Sequence, residues 1–154
     1  MKATLLTQFG AVRYLTGMNL DGITAEQSLY RPQPGGNCIR WLVGHLANTY
    51  DAMLPVLGGE PFLEATEYER FRRGSDPLAA DEDLPAWDRM LSDWDEVQKR
   101  FIAAVEDMDP SRAGDKAPYS PGGKPDETIG SLLALIGFHQ AYHAGQIGIV
   151  RRLT

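Results

Sequence analysis

A chain of 154 residues, 43% hydrophobic and 23% charged, has the length and balance of one globular domain spanning 1–154, long enough to bury a core without staples. A net charge of −6 argues against a general nucleic-acid binder, which needs a basic face, although Arg151-Arg152 leaves room for a local basic patch. The single cysteine, Cys38, permits no internal disulfide, no apolar run approaches the roughly 20 residues of a membrane helix, and residues 1–10 lack a signal-peptide pattern, so the expected setting is the cytoplasm, with neither membrane nor nucleic acid as partner.

The first helix is predicted over Ala3 to Asn19, with Leu5, Phe9, Val12, Leu15 and Met18 on its apolar stripe, and Asp21-Gly22 as the turn that follows. Residues 30–36 hold Pro32, Pro34 and two glycines and read as a loop, with Asn37 as N-cap candidate. The second helix runs from about Cys38 to Leu57 on Ile39, Leu42, Leu46, Tyr50, Met53 and Leu57. Pro55 weakens its last turn and Gly58-Gly59 stops it. A short helix over Glu64 to Arg73 turns Tyr68 and Phe71 inward, and the acidic stretch Ser75 to Leu84 is a surface loop.

The third helix starts near Pro85 and holds Trp87, Met90, Leu91, Trp94, Val97, Phe101, Val105 and Met108 on one stripe until Asp109-Pro110 ends it. Residues 110–127, with four prolines and three glycines, form a loop long enough to suggest service to a site. The fourth helix, from about Glu127 to Leu153 with Asp126 or Thr128 as cap, carries Ile129, Leu132, Leu133, Ile136, His139, His143, Ile147 and Val150. The pattern predicts an all-α four-helix bundle with a short helix between helices two and three. The long connection there allows a crossover topology.

All three histidines of the chain fall on these helices. His139 and His143, four residues apart, share a helix face and take positions where the stripe calls for apolar residues. Buried neutral imidazoles cost free energy unless both nitrogens find partners, and a metal ion satisfies one nitrogen of each. His45 sits at the edge of the second helix's buried face. Three imidazoles on one ion leave a coordination position open, as a catalytic metal requires. Spacing alone fits ordinary hydrogen-bonded histidines as well. Gln140 stands where a zinc-peptidase helix has its glutamate base, which argues against that mechanism.

The run Asn37-Cys-Ile-Arg-Trp-Leu-Val-Gly-His45 with Leu46-Ala-Asn48 resembles the second-helix motif of the DinB-like (DinB/YfiT) superfamily. The run Gly137-Phe-His139-Gln-Ala-Tyr-His143-Ala-Gly-Gln146-Ile, then Arg151-Arg152, resembles its last helix. The resemblance covers nearly the whole chain. It implies a four-helix bundle of unusual connection order, one divalent metal ion (often zinc or nickel) on His45, His139 and His143, and a homodimer. It also implies, for some relatives, transfer or isomerisation with a low-molecular-weight thiol such as bacillithiol or mycothiol.

The leading functional expectation is a metal that activates a small thiol toward a small-molecule electrophile. Metal-assisted hydrolysis and a non-enzymatic metal-binding dimer module are the alternatives, and three imidazoles also suit copper or iron(II). Trp41 and Asn48 flank His45 at helical spacing as pocket candidates, with packing the stronger reading for Trp41. Gln146 is placed to bond a water or ligand, or to serve as a polar helix contact. Tyr119 is a lid candidate on the long loop. Asp51 is expected in solvent, and Cys38 as a small core residue rather than a nucleophile.

Overall fold

The first helix, α1 (Lys2–Leu20), buries Leu5, Phe9, Val12, Thr16 and Leu20, a stripe spaced three and four residues apart. The computed structural model describes residues 2–79 and 82–154. Leu15 and Met18, expected on the stripe, are more than half exposed. Thr16 replaces them by donating its hydroxyl to the Val12 carbonyl, which satisfies a polar group inside the core. A one-turn helix that the pattern did not reveal, α2 (Ala25–Ser28), follows behind a Thr24–Gln27 capping box. Its end receives the buried Arg40, whose Nε donates to Ser28 Oγ at 3.1 Å.

Helix α3 (Ile39–Leu57) is buried on every side from Ile39 to Ala47, the mark of a helix with neighbours all round. Its N-cap is Cys38, with no side-chain cap bond, rather than Asn37. Gly58, left-handed at φ 92°, closes it, and Pro55 stays inside its last turn. Then come α4 (Ala65–Tyr68) and a 3₁₀ turn Glu69–Phe71, with Tyr68 and Phe71 buried as expected. The predicted loop Ser75 to Leu84 has no helix over its described residues; Ala80 and Asp81 lie outside them. Helix α5 (Trp87–Asp107) begins after Pro85, which sits one residue before the Ala86 cap. The stretch predicted as a plain loop over 110–127 contains a 3₁₀ turn, Pro110–Gly114, and is pinched at its base by a Lys116–Thr128 bridge. Helix α6 (Ile129–Arg151) starts at Thr128, whose capping box uses Ser131.

Cross-helix contacts fix the directions. Gln8 faces Gly137 and Asn19 faces Gly148, so eleven residues along α1 match eleven along α6 and the two run parallel. Lys2 reaches the Glu106 carbonyl and Arg13 pairs with Asp95, so α1 and α5 run antiparallel. Arg40 lies over Trp87, Tyr50 packs on Trp94 and Phe101, and Arg112 caps the carbonyls of Val56 and Leu57, so α3 and α5 are parallel. The bundle is therefore up-down-down-up. Two parallel neighbours in succession need a connection that returns the length of a helix, about 30 Å for twenty residues. Residues 58–75 make that return along α3. Asp51, expected in solvent, is instead buried and accepts from the Phe62 and Leu63 amides at 2.6 and 3.2 Å. Farther along, Phe71 lies against Gly44, and Ser75 accepts from the Trp41 indole at 2.9 Å.

The core centres on Phe9, Tyr50, Trp94 and Phe101, packed edge to face. Tyr50 donates its hydroxyl to Gln140, Gln140 donates to Gln98, and Gln98 donates to the Trp94 carbonyl, so this buried polar chain is satisfied end to end. No helix among the described residues is long and apolar enough to cross a membrane.

A Cβ at Gly44 would overlap the Phe71 ring, which is fully buried. Gly44→Ala is expected to cost about 1–3 kcal/mol by overpacking and to lower the melting temperature by several degrees. A calorimetric scan showing no loss would refute this account of the crossover contact.

Candidate metal centre

His45 lies mid-helix in α3; His139 and His143 lie one turn apart on α6. Because α3 and α6 are antiparallel neighbours, the three rings meet between them. His139 Nε2 is 3.1 Å from His45 Nε2 and 3.0 Å from His143 Nε2, and one ligand nitrogen from each of the three falls within 4.8 Å of the others. Nitrogens about 2.0–2.1 Å from a common ion stand about 2.9 Å apart at right angles and about 3.3 Å apart at tetrahedral angles. The two close edges fall inside that range.

The other ring nitrogens decide what the convergent ones present. His45 Nδ1 is 2.8 Å from the Phe71 carbonyl, and His143 Nδ1 is 2.6 Å from Gln146 Oε1. Both partners can only accept, so each Nδ1 carries the hydrogen and each Nε2 turns a lone pair inward. His139 Nε2 can donate to one of these lone pairs but not both, and its buried Nδ1 has no partner among the described residues. Hydrogen bonds among three neutral imidazoles therefore leave the cluster short of donors. A cation at the convergence point would accept all three lone pairs, so the donor set fits a metal ion.

Burial pushes the pKa of all three histidines down. His139 goes furthest, to about 3, because its two neighbouring imidazoles and Arg73 also oppose a positive charge on it. The bond to Phe71 partly offsets the effect at His45, and the bond to Gln146 does so at His143. All three are therefore neutral at physiological pH, the form that ligates.

Trp41 stacks on His45 with centroids 4.7 Å apart and planes 15° from parallel, so it holds the ring as well as packing. The triad sits in the wall of a cavity of about 910 Å³. Trp41, Asn48, Gln146 and Tyr119 all line it. Gln146 is spent on His143, and the Tyr119 hydroxyl lies 3.1 Å from Met53 Sδ. Pro121 and Gly122 bring the pinched loop to the same wall. Cys38 is buried in the core, its thiol pushed up by burial against the helix-terminus effect.

Sequence reasoning did not find Arg72, Arg73, Thr49, Phe138 or Tyr142, which also line the cavity. Phe138 and Tyr142 each stand one residue before a histidine, a spacing that turns them to the adjoining face. The two arginines arrive on the crossover, and no local pattern in the sequence signals their approach.

Stability linkage follows from these shifts. Each histidine has a folded pKa below its unfolded value near 6.5, so below that value the unfolded chain binds more protons. Chelator-stripped protein is expected to hold full stability above about pH 6.5 and to lose it progressively as the pH falls toward 3. Urea midpoints flat across that window would contradict the buried neutral triad.

No curated protein matches the chain. A crystal structure described as that of a conserved protein from Enterococcus faecalis superposes with a TM-score of 0.75 at 16% identity, covering 99% of this chain and 96% of that one, and shows the same fold. The family model for the DinB superfamily matches residues 8–147, and the chain belongs to that superfamily.

Proposed function

We propose that the protein is a metal-dependent enzyme of the DinB type, in which one divalent ion, zinc or nickel, is held by His45, His139 and His143 and activates a small thiol for S-transfer or isomerisation. The observation that carries this reading is the convergence of three neutral Nε2 atoms, two with their lone pairs fixed inward by Phe71 and Gln146. An ion bound there would hold a thiol as its thiolate, the nucleophilic form, at neutral pH.

The chain's own residues do the rest. The Phe71 carbonyl, the Trp41 face and Gln146 hold the imidazoles in place. Asn48 offers hydrogen bonds along the α3 wall, and Phe138 and Tyr142 give the cavity an apolar flank for an electrophile. Among the described residues no aspartate or glutamate lines the cavity. A carboxylate base assists attack by metal-bound water, and a thiol, far more acidic than water before it binds, depends on such a base less. This favours thiol chemistry over hydrolysis.

A homodimer belongs to the same proposal. Leu15 and Met18 on α1 and Phe138, Tyr142 and Ile149 on α6 are exposed and apolar, and a second copy of the chain would cover them. Sedimentation of the purified protein at twice the chain mass supports this part, and sedimentation as a monomer removes it.

Elemental analysis of untagged protein is expected to give about one zinc or nickel per chain, and His143→Ala to abolish it. Chelation is expected to lower the melting temperature by several degrees, since a ligand present at 100 times its Kd adds about 2.7 kcal/mol. Metal-loaded protein should conjugate an activated aryl chloride to one of glutathione, bacillithiol or mycothiol. Metal binding without turnover on any of them would leave a binding module; absence of metal would end the proposal.

A further inference from the structure

The cavity beside the triad differs in charge from the rest of the molecule. Acidic residues outnumber basic ones 21 to 15 along the chain, yet among the described residues the lining contains Arg72 and Arg73 and no acidic side chain. The two arginines are not equivalent. Arg72 is paired with Glu69 at 2.7 Å, both side chains largely exposed, so its charge is already met. Arg73 has no ion pair or side-chain hydrogen bond among the described residues, although acidic groups lie within a few residues of it in sequence.

Its placement is fixed from both sides. Phe71, two residues before, is anchored by its ring against Gly44 and by its carbonyl at His45 Nδ1. Ser75, two residues after, is anchored by its hydroxyl at the Trp41 indole. His45 and Trp41 are one turn apart on α3 and both face the cavity. The five-residue span between these anchors cannot swing away without breaking one of them, so Arg73 is held at the cavity wall. Its charge is felt at the triad, where it disfavours protonation of His45 and His139.

A guanidinium with no partner among the described residues, on a tethered span facing a cavity that no described carboxylate lines, calls for an anion. The neighbouring donors with a hydrogen to give, the Asn48 amide and the Tyr142 hydroxyl, suit the oxygens of such a group. The geometry points to Arg73 as the specificity-determining residue of this cavity, receiving the carboxylate of a small-molecule ligand whose other end lies at the histidine triad. This rests on the reading of the cavity as the thiol and substrate pocket and narrows it to carboxylate-bearing molecules. Neutral thiols are expected to be poor ligands.

The test compares 3-mercaptopropionate with 2-mercaptoethanol on cobalt(II)-loaded protein, reading the sulfur-to-cobalt absorption band. The carboxylate thiol is expected to bind about five- to tenfold tighter, the size of one partly exposed charge-assisted contact. The ratio should shrink as salt rises. Arg73→Gln should bring it to about one, Arg73→Lys should restore part of it, and Arg72→Gln should leave it unchanged. Arg73 is exposed, so its variants should keep the wild-type melting temperature. Equal affinities in the wild type, or a ratio that survives Arg73→Gln, overturn the assignment.

If neither thiol produces a band, the thiol reading itself has failed. The carboxylate preference is then read on metal-free protein from the Trp41 indole N–H resonance, titrated with propionate and with propionamide. A shift for propionate alone, lost in Arg73→Gln, upholds the Arg73 assignment without the metal. No difference between the two titrants removes it.

Discussion

Phe71 meets α3 twice within one turn: its ring fills the space left by the missing side chain of Gly44, and its carbonyl takes the Nδ1 hydrogen of His45. One residue thereby couples backbone packing to the state of a functional ring. The ring contact fixes where the crossover lies, and the carbonyl then fixes which nitrogen of His45 carries the hydrogen. Without it, His45 would be free to present either an N–H or a lone pair to the other two histidines. The same short span carries Arg73 to the cavity and ends at Ser75 on Trp41, which stacks on His45. The crossover is thus part of the site.

This coupling follows from topology. In an up-down-up-down bundle every connection is a short turn at an end, and little polypeptide would lie along α3 at mid-height. Because α3 and α5 are parallel, the connection between them must return the length of a helix, and residues 58–75 do so along α3. Asp51 accepts the Phe62 and Leu63 amides and so starts the return at a defined height. The connection from α5 to α6 joins antiparallel helices and has no such distance to cover. Its extra length goes instead into a loop, pinched between Lys116 and Thr128, that brings Tyr119, Pro121 and Gly122 to the cavity.

The sequence shows some of this and hides the rest for physical reasons. The stripe of α5 is legible because one face is buried and the other solvated, and Trp87 through Val105 lie where the spacing puts them. The histidines are legible because polar rings stand where an apolar stripe calls for core. On α1 the buried stripe continues from Val12 to Thr16 and Leu20 rather than to Leu15 and Met18, which are apolar yet exposed, while Thr16 is polar yet buried. Hydrophobicity alone cannot tell a buried residue from one on an apolar surface. Asp51 was misread for a related reason: its partners are amides eleven and twelve residues away, and a carboxylate's need for such donors leaves no local trace. Arg73 was missed because a charged residue after a short helix looks like any solvated one until the fold places it beside a cavity.

The triad also explains a cost that the fold alone would not. Three neutral imidazoles packed together leave, among the described residues, a buried nitrogen of His139 without a partner and one inward lone pair with no donor. Each such group costs about 1–3 kcal/mol when taken from water. A bundle of this size could place apolar residues at those positions and be more stable, as it does one turn before at Ile136 and one turn after at Ile147. Directly behind the site, Tyr50, Gln140 and Gln98 form a polar chain with every link made, so the surrounding core can satisfy buried polar groups where satisfaction is the aim. The shortage is confined to the three inward nitrogens and the ring of His139. It lies at the wall of the cavity, where a cation would meet it.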